Sequence, residues 1–390
     1  MIQRDIASQL DHLSRQYPVV TVTGPRQSGK TTLVKAVFPE WTYVSLETPD
    51  IREYALSDPR GFIGAYPERV ILDEVQRAPD LFSYIQTHVD DLGRESVYVL
   101  TGSFNFGLME GISQSLAGRV AVLELLPLAF SEMDRAGVVP DSIEELMVAG
   151  SYPRIYDRGL TPQQWYANYV TTYLESDVRK VKNVSDLSVF QRFLKMCAAR
   201  SGQILNLSSL GDDCGITHNT AKSWLSILEA SYIVYLLKPH YQNFNKRLIK
   251  SPKIYFFDSG LLSYLIGISD PDTIRIHASR GHVFETWVVA ELIKGRWNRG
   301  LKDNLYFWRD NSGHEIDCIA DQGDRLLALE IKSGKTVSED FFKGLRFWSR
   351  ISGADTREMV LVYAGLMDQA RTYGTVLSWR SFGKKLPLEI

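Results

Sequence analysis

The chain has 390 residues, 44% hydrophobic and 23% charged, which fits a globular protein with room for two or three domains. No run approaches 18 consecutive apolar residues, and the first ten residues, MIQRDIASQL, lack the apolar core of a signal peptide, so the expectation is a cytoplasmic chain with no membrane partner. Cys197, Cys214 and Cys318 lie too far apart for a disulfide framework or a zinc site, and a net charge of −2, taken alone, argues against nucleic acid.

Residues 1–150 hold 12 Lys and Arg against 21 Asp and Glu, a net of −9. Within them, residues 18–23 (PVVTVT) form a β-run that ends in a glycine loop, and residues 31–38 continue as a helix. Short apolar runs at 70–72 and 96–100 flank a helical stretch at 79–91. Strands separated by helices imply a mostly parallel sheet covered on both faces, and residues 120–126 extend it.

The loop after the first strand reads Gly24, Pro25, Arg26, Gln27, Ser28, Gly29, Lys30, Thr31, Thr32, and matches G-x-x-x-x-G-K-[ST]. The glycines let the backbone N–H groups curl toward phosphate, and the following helix N-terminus adds partial positive charge. Lys30 is expected on the β- and γ-phosphates and the Thr31 hydroxyl on Mg²⁺, so ATP and Mg²⁺ are the expected cofactors. The second strand ends VILDEVQ. Asp73 stands where a Walker-B Asp holds Mg²⁺, with Glu74 placed to polarise the attacking water; the bland alternative is a pair of solvated acids. The third strand ends in Thr101, Gly102 and Ser103, and Ser103 is either a γ-phosphate sensor or part of a turn. Arg119 is either an arginine finger offered to a neighbouring copy, which implies a homo-oligomer, or a surface residue.

Residues 176–250 reverse the charge, with 11 basic against 5 acidic residues, a net of +6. Apolar spacing marks helices at 164–181, 186–199, 205–211 and 217–230, with a break at Gly215 and Thr217 as N-cap. Short strands at 204–207 and 231–237, with Lys246, Arg247 and Lys250 in a wing, give a winged helix-turn-helix pattern. Residues 217–230 would then be the recognition helix, exposing His218, Asn219, Lys222 and Ser223. The basic excess suits phosphate contact, though such a domain also serves as scaffold.

Residues 251–390 are nearly balanced, 19 basic against 18 acidic. Glu285 lies in a helical stretch, 282–294, and strands are expected at 304–309, 315–320 and 326–332. Asp317 sits on the second of these strands. Glu330 and Lys332, two residues apart, share one face of the third. The set Glu285, Asp317, Glu330 and Lys332 resembles the acid/acid-x-lysine nuclease constellation of restriction-endonuclease-like folds. In it Glu285, Asp317 and Glu330 would bind Mg²⁺ for attack on a phosphodiester, while Lys332 orients the water. The fold can equally persist as a platform that only binds. His282 and His314 are read as ordinary hydrogen-bonding residues, and most of the many aromatics as core.

The order of the motifs resembles an AAA-type ATPase of the additional-strand, catalytic-glutamate kind. Over nearly its whole length the chain is similar to a prokaryotic ATPase family that carries a C-terminal domain of unknown function, numbered 4143. The resemblance rests on GPRQSGKTTL, LETPDIREYALSDPRGF, ILDEVQ, LTGS, SLAGRV, LLPLAFSE, YLESDVRKV, KIYFFDSGLLSYLIG, GHVFETWVVAEL, WRDNSGHEIDCIA and ALEIKSG. Where that family often has Gly-Gly-Tyr-Pro, this chain has Gly150, Ser151, Tyr152 and Pro153. The expected architecture is α/β: a P-loop ATPase domain at 1–155, a helical and winged-helix connector at 156–255 and a restriction-endonuclease-like domain at 256–390. The expected activity is ATP hydrolysis coupled to binding, remodelling or Mg²⁺-dependent cleavage of nucleic acid, DNA foremost. The alternatives are a nucleotide-dependent signalling ATPase with a binding-only platform, and a DNA-binding transcription regulator.

Overall fold

The computed structural model describes residues 1–102, 115–174, 186–241, 249–301 and 304–389. Ser103, Lys246, Arg247 and the end of the helix expected at 164–181 lie outside the described residues. The chain divides into two compact units: Met1–Leu128 with Ala230–Tyr232 and Trp297–Leu301, and Ala129–Glu229 with Ile233–Arg296 and Lys302–Ile390.

The first unit is built on five strands: β1 (Val19–Thr23), β2 (Thr42–Ser45), β3 (Val70–Asp73), β4 (Tyr98–Thr101) and β5 (Val120–Glu124). All pair in parallel, in the order β2-β3-β4-β1-β5, so β4 separates the P-loop strand from β3. Side chains alternate between two cores because strand residues point to opposite faces. Val19, Leu72 and Leu100 join Phe62, Phe82 and Ile85 on one face. Val20, Val22, Ile71 and Val99 join Leu10, Leu33 and Val34 on the other. Covering both faces is what turns these strands into nearly unbroken apolar runs.

The second unit contains a nine-stranded sheet. Its strands are β6 (Gln203–Ile204), β7 (Val234–Pro239), β8 (Lys253–Phe256), β9 (Leu305–Arg309), β10 (Glu315–Asp321), β11 (Leu326–Lys332), β12 (Met359–Tyr363), β13 (Gln369–Arg371) and β14 (Gly374–Ser378). They lie in the order β13-β14-β12-β11-β10-β9-β7-β8-β6. β9, β10 and β11 are antiparallel neighbours, while β11, β12 and β14 run parallel. The parallel pairing of β7 with β9, through Lys238 with Tyr306 and Pro239 with Phe307, makes β6–β8 part of the same sheet. Ahead of β7 come helices Leu187–Ala199, Leu207–Cys214 and His218–Ala230, the last two joined through Gly215 in the left-handed region at φ 70°. The Thr217 hydroxyl accepts from Thr220 N at 3.1 Å and caps the last of them. Helix Arg280–Trp297 is buried along most of its 18 residues, as expected of a helix without a polar face.

Charge inside this unit is paired. Asp258 accepts at Oδ2 from Ser151 N and Ser151 Oγ (2.7 and 2.9 Å), and at Oδ1 from Tyr166 OH and Leu261 N (2.6 and 2.8 Å). Lys294 Nζ donates to Ser151 Oγ at 3.0 Å and to Glu291 at 2.8 Å, and Glu291 accepts from Phe130 N at 2.7 Å. The serine that departs from the family's second glycine therefore bridges two buried charges. Gly150, at φ 67°, has no room for a Cβ beside the Tyr166 hydroxyl and Asp258. Asp258→Ala strips the acceptor from four buried donors and is expected to lower stability by roughly 3 kcal/mol. Urea unfolding followed by tryptophan fluorescence measures this, and an unchanged midpoint would show that the carboxylate holds nothing together.

Candidate functional site

Two constellations carry chemistry, one in each unit. In the first, β1 runs into the loop 24–29 and helix Lys30–Val37 follows. Gly24 (φ 143°), Gln27 (φ 60°) and Gly29 (φ 97°) take positive φ, and a Cβ at Gly24 would collide with the Leu125 carbonyl. Lys30 is buried and its Nζ donates to Gly24 O (3.1 Å) and Pro25 O (2.9 Å). The hydroxyl of Ser28 and Oε1 of Gln27 are buried in this loop with no hydrogen-bond partner. Thr32 is exposed, and Pro25 and Arg26 are part of the same turn.

Asp73 is the hub beside the loop. Its Oδ2 accepts from Thr31 Oγ1 at 2.9 Å and Tyr43 OH at 2.6 Å; its Oδ1 accepts from Thr101 Oγ1 and from Glu74 N at 3.1 Å. The two expected Mg²⁺ ligands, Thr31 and Asp73, are therefore adjacent, and their all-oxygen chemistry fits the ion. Burial and then the bond to Asp73 push the Tyr43 phenol well above its ordinary pKa. Glu74 is in the left-handed region at φ 57°, and its carboxylate accepts from Gln76 Nε2 at 2.5 Å. Arg119 lies apart from these groups in sequence and bonds Asp90 through Nε (2.5 Å) and Nη2 (2.8 Å). That pairing holds Asp90 below the usual carboxylate range.

The second constellation lines a cavity of about 740 Å³ in the larger unit. Pairing of β10 with β9 slips by one residue between Ile316 and Ile319, a bulge in the stretch that carries Asp317. Asp317 Oδ2 accepts from Ile331 N (2.8 Å) and Lys332 Nζ (3.2 Å), and Lys332 Nζ also donates to Glu330 Oε2 at 2.6 Å. Three of the four expected residues thus meet. Glu285 lines the same cavity but is held elsewhere, by Lys253 Nζ at 3.0 Å and Tyr255 OH at 2.5 Å. Lys253 also pairs with Glu315, whose other oxygen takes Arg309 at 2.9 Å. Among the described residues no three His, Cys, Asp or Glu side chains are grouped to hold one metal, so the expected three-carboxylate set is not gathered. The reason is that two ammonium groups, Lys253 and Lys332, stand between the acids.

Burial, then the neighbouring Asp317, raises Glu330 well above the ordinary carboxylate range. Burial acts the same way on Asp317, but Lys332 and Lys253 outweigh it and hold Asp317 low. Two carboxylates that close resist joint ionisation. Asp317 and Glu330 still fit a Mg²⁺ ion, which commonly takes one or two carboxylates and keeps several waters. On the Glu330 side the carboxylate packs directly against Gly344, where a Cβ would fall on Oε1. Phe347 stacks on His314 with ring centroids 3.7 Å apart at the cavity wall, and the His282 Nδ1 is buried without a partner.

Residues 16–134 match the AAA domain model, 140–272 a domain of unknown function, DUF8612, and 280–382 a domain of unknown function, DUF4143. Over 369 residues the chain is 30% identical to the uncharacterized protein Rv2008c of Mycobacterium tuberculosis, covering 93% of this chain and 80% of that one. The chain belongs to this family of AAA-type ATPases with a C-terminal DUF4143 domain. The uncharacterized protein Mb2031c of Mycobacterium bovis matches with the same figures. Among solved structures, the Walker-type ATPase paby2304 of Pyrococcus abyssi is 14% identical with a TM-score of 0.46, covering 67% of this chain and 94% of that one. Among the described residues no helix is long and apolar enough to cross a membrane.

Sequence reasoning missed several members of both sites. In the AAA domain, buried Arg4 ties Ser28 O and Leu126 O together at 2.7 Å each, and Tyr43 grips Asp73. Both come from segments without a motif. In the DUF4143 pocket, Lys253 and Tyr255 come from β8, and the signal was available: two polar groups alternate inside the apolar run KIYF. Arg4→Ala removes the donor from the Ser28, Leu126 and Pro127 carbonyls and is expected to weaken binding of a fluorescent ATP analogue about tenfold, or ~1.4 kcal/mol. A fluorescence titration reads this, and an unchanged dissociation constant would count against Arg4 as the brace of the loop.

Proposed function

We propose that this AAA-type ATPase hydrolyses ATP and couples turnover to binding and Mg²⁺-dependent cleavage of nucleic acid, DNA in the first instance, by its DUF4143 domain. The observation that carries the cleavage half is the meeting of Asp317, Glu330 and Lys332 in one cavity. The reading divides the chain into an ATPase domain at 1–155, a winged-helix connector at 156–255 and a restriction-endonuclease-like domain at 256–390.

In the ATPase domain the turned loop presents backbone N–H groups to phosphate and Lys30 neutralises the β- and γ-oxygens. Thr31 and Asp73 hold Mg²⁺, Glu74 orients the attacking water, Ser103 senses the γ-phosphate and Arg119 acts on a neighbouring copy in a homo-oligomer. The position of β4 between β1 and β3 supports the additional-strand type. For the connector, the order helix, strand, helix, helix, strand, strand supports a winged helix, with His218, Asn219 and Lys222 exposed on its third helix. In the pocket, Asp317 and Glu330 hold Mg²⁺, which when bound supplies Lewis-acid polarisation of the phosphodiester. Lys332 orients water and favours its deprotonated form, and the stacked Phe347 and His314 offer a surface for a base.

One observation favours a second reading. Glu285 is engaged by Lys253 and Tyr255, as in a site that binds without cutting. A regulatory ATPase with a binding platform follows from that, and it predicts nucleotide-dependent assembly without phosphodiester chemistry.

ATPase rates with and without single- and double-stranded nucleic acids, beside cleavage gels in Mg²⁺ and Mn²⁺, separate the two. Lys30→Ala is expected to abolish ATP turnover and Lys332→Ala to remove cleavage alone. Absence of both nucleic-acid-stimulated ATPase and cleavage sinks the coupled reading.

A further inference from the structure

Lys253 and Tyr255 belong to neither residue set invoked for catalysis, yet Lys253 lines the DUF4143 pocket and Tyr255 bonds Glu285, which lines it too. They are two apart on β8 and so share a face of the sheet. β8 pairs with β6 and β7, so this face is contributed by the connector. Lys253 Nζ lies 3.0 Å from Glu285 Oε1 and also pairs with Glu315 Oε1, while Tyr255 OH donates to Glu285 Oε1 at 2.5 Å.

We propose that Lys253 is a built-in cation of the pocket, its ammonium standing between Glu285 and Glu315 where a second divalent ion would sit. The pocket then takes one divalent ion, at Asp317 and Glu330, and Glu285 is a positioned acid rather than a metal ligand. This inference rests on the cation site assigned above.

Formal charge distinguishes the two halves of the cavity. Glu285 and Glu315 carry two negative charges against Lys253 and Arg309, a balanced group that offers a divalent ion no excess charge. Asp317 and Glu330 pair directly only with Lys332, Lys253 acting on Asp317 without an ion pair, so the four acids of the cavity outnumber Lys253, Arg309 and Lys332 by one and the excess lies on this side. Freedom differs as well. The Lys253 side chain is 3% exposed, whereas that of Lys332 is 32% exposed and can swing toward solvent when an ion enters. Geometry agrees, since Mg²⁺ demands oxygens at about 2.0–2.1 Å. An ammonium 3.0 Å from Glu285 Oε1 occupies the volume such an ion needs, and the Lys332 ammonium, 2.6 Å from Glu330 Oε2, has to move aside before an ion enters there. The connector therefore supplies part of the pocket's charge through β8, so displacement of that strand would alter the pocket directly.

The test counts Mn²⁺ ions bound to the 390-residue chain without nucleotide, by calorimetry. Glu330→Gln is expected to lose one ion per chain relative to the unaltered protein. Glu285→Gln, which keeps size and hydrogen bonding, is expected to keep the count with a dissociation constant within about twofold. Lys253→Met, checked for folding by circular dichroism, is expected to gain one ion. Loss of an ion in Glu285→Gln, or of two in Glu330→Gln, overturns the proposal while leaving the pocket a cation site. Loss of none in Glu330→Gln overturns the cation site itself, and the proposal with it.

Discussion

Charge taken out of water must be paired, and the larger unit is organised around that requirement. Ionised groups left alone in such an interior cost several kcal/mol each, so each buried acid fixes the place of a partner. Asp258 holds together Ser151, Tyr166 and the start of helix Ser259–Leu265. Glu144, fully buried, takes Arg280 at 2.7 Å and Lys335 at 3.0 Å. Lys294 with Glu291, and Lys253 with Glu285 and Glu315, complete the pattern. Helix Arg280–Trp297 contributes Arg280, Glu285, Glu291 and Lys294 to these groups, which accounts for charged residues along a helix buried on most sides.

The same rule shapes the two sites. Asp73 gathers four donors from four segments, so the Asp73 side of the ATP loop is arranged by β2, β3, β4 and helix Lys30–Val37 together. In the DUF4143 pocket the acids are divided between two ammonium groups. One, Lys253, is buried, and the other, Lys332, is partly exposed. The sheet runs unbroken from β6 to β13, so the strands at 203–256 and the pocket strands belong to one sheet.

Local pattern made much of this legible. Apolar runs at 18–23, 70–72 and 96–100 correspond to β1, β3 and β4, because a parallel sheet buried on both faces requires uninterrupted apolar strands. β2 went unread: its four residues are mostly half-exposed and leave no periodic signal. In the larger unit, alternation in EIDCIA and the apolar run LLALEIK marked β10 and β11, and the two-residue spacing placed Glu330 and Lys332 on one face. The bulge at Asp317 carried no sequence mark, since it depends on how β10 registers against β9. The partition of charge sharpened the near-zero total into an acidic AAA domain and a basic connector.

Spacing along the chain was enough to specify the ATP loop, the acid at the end of β3 and the Glu-x-Lys pair on β11. Each arises from residues within a few positions of one another, where backbone geometry alone sets direction. Spacing was silent on Arg4 under the loop, on Tyr43 at Asp73, and on which lysine faces which acid in the DUF4143 pocket. The Arg4–Ser28, Arg4–Leu126, Tyr43–Asp73 and Lys253–Glu285 contacts join residues 24 to 122 positions apart. They exist because burying one charge obliges folding to bring a distant partner to it.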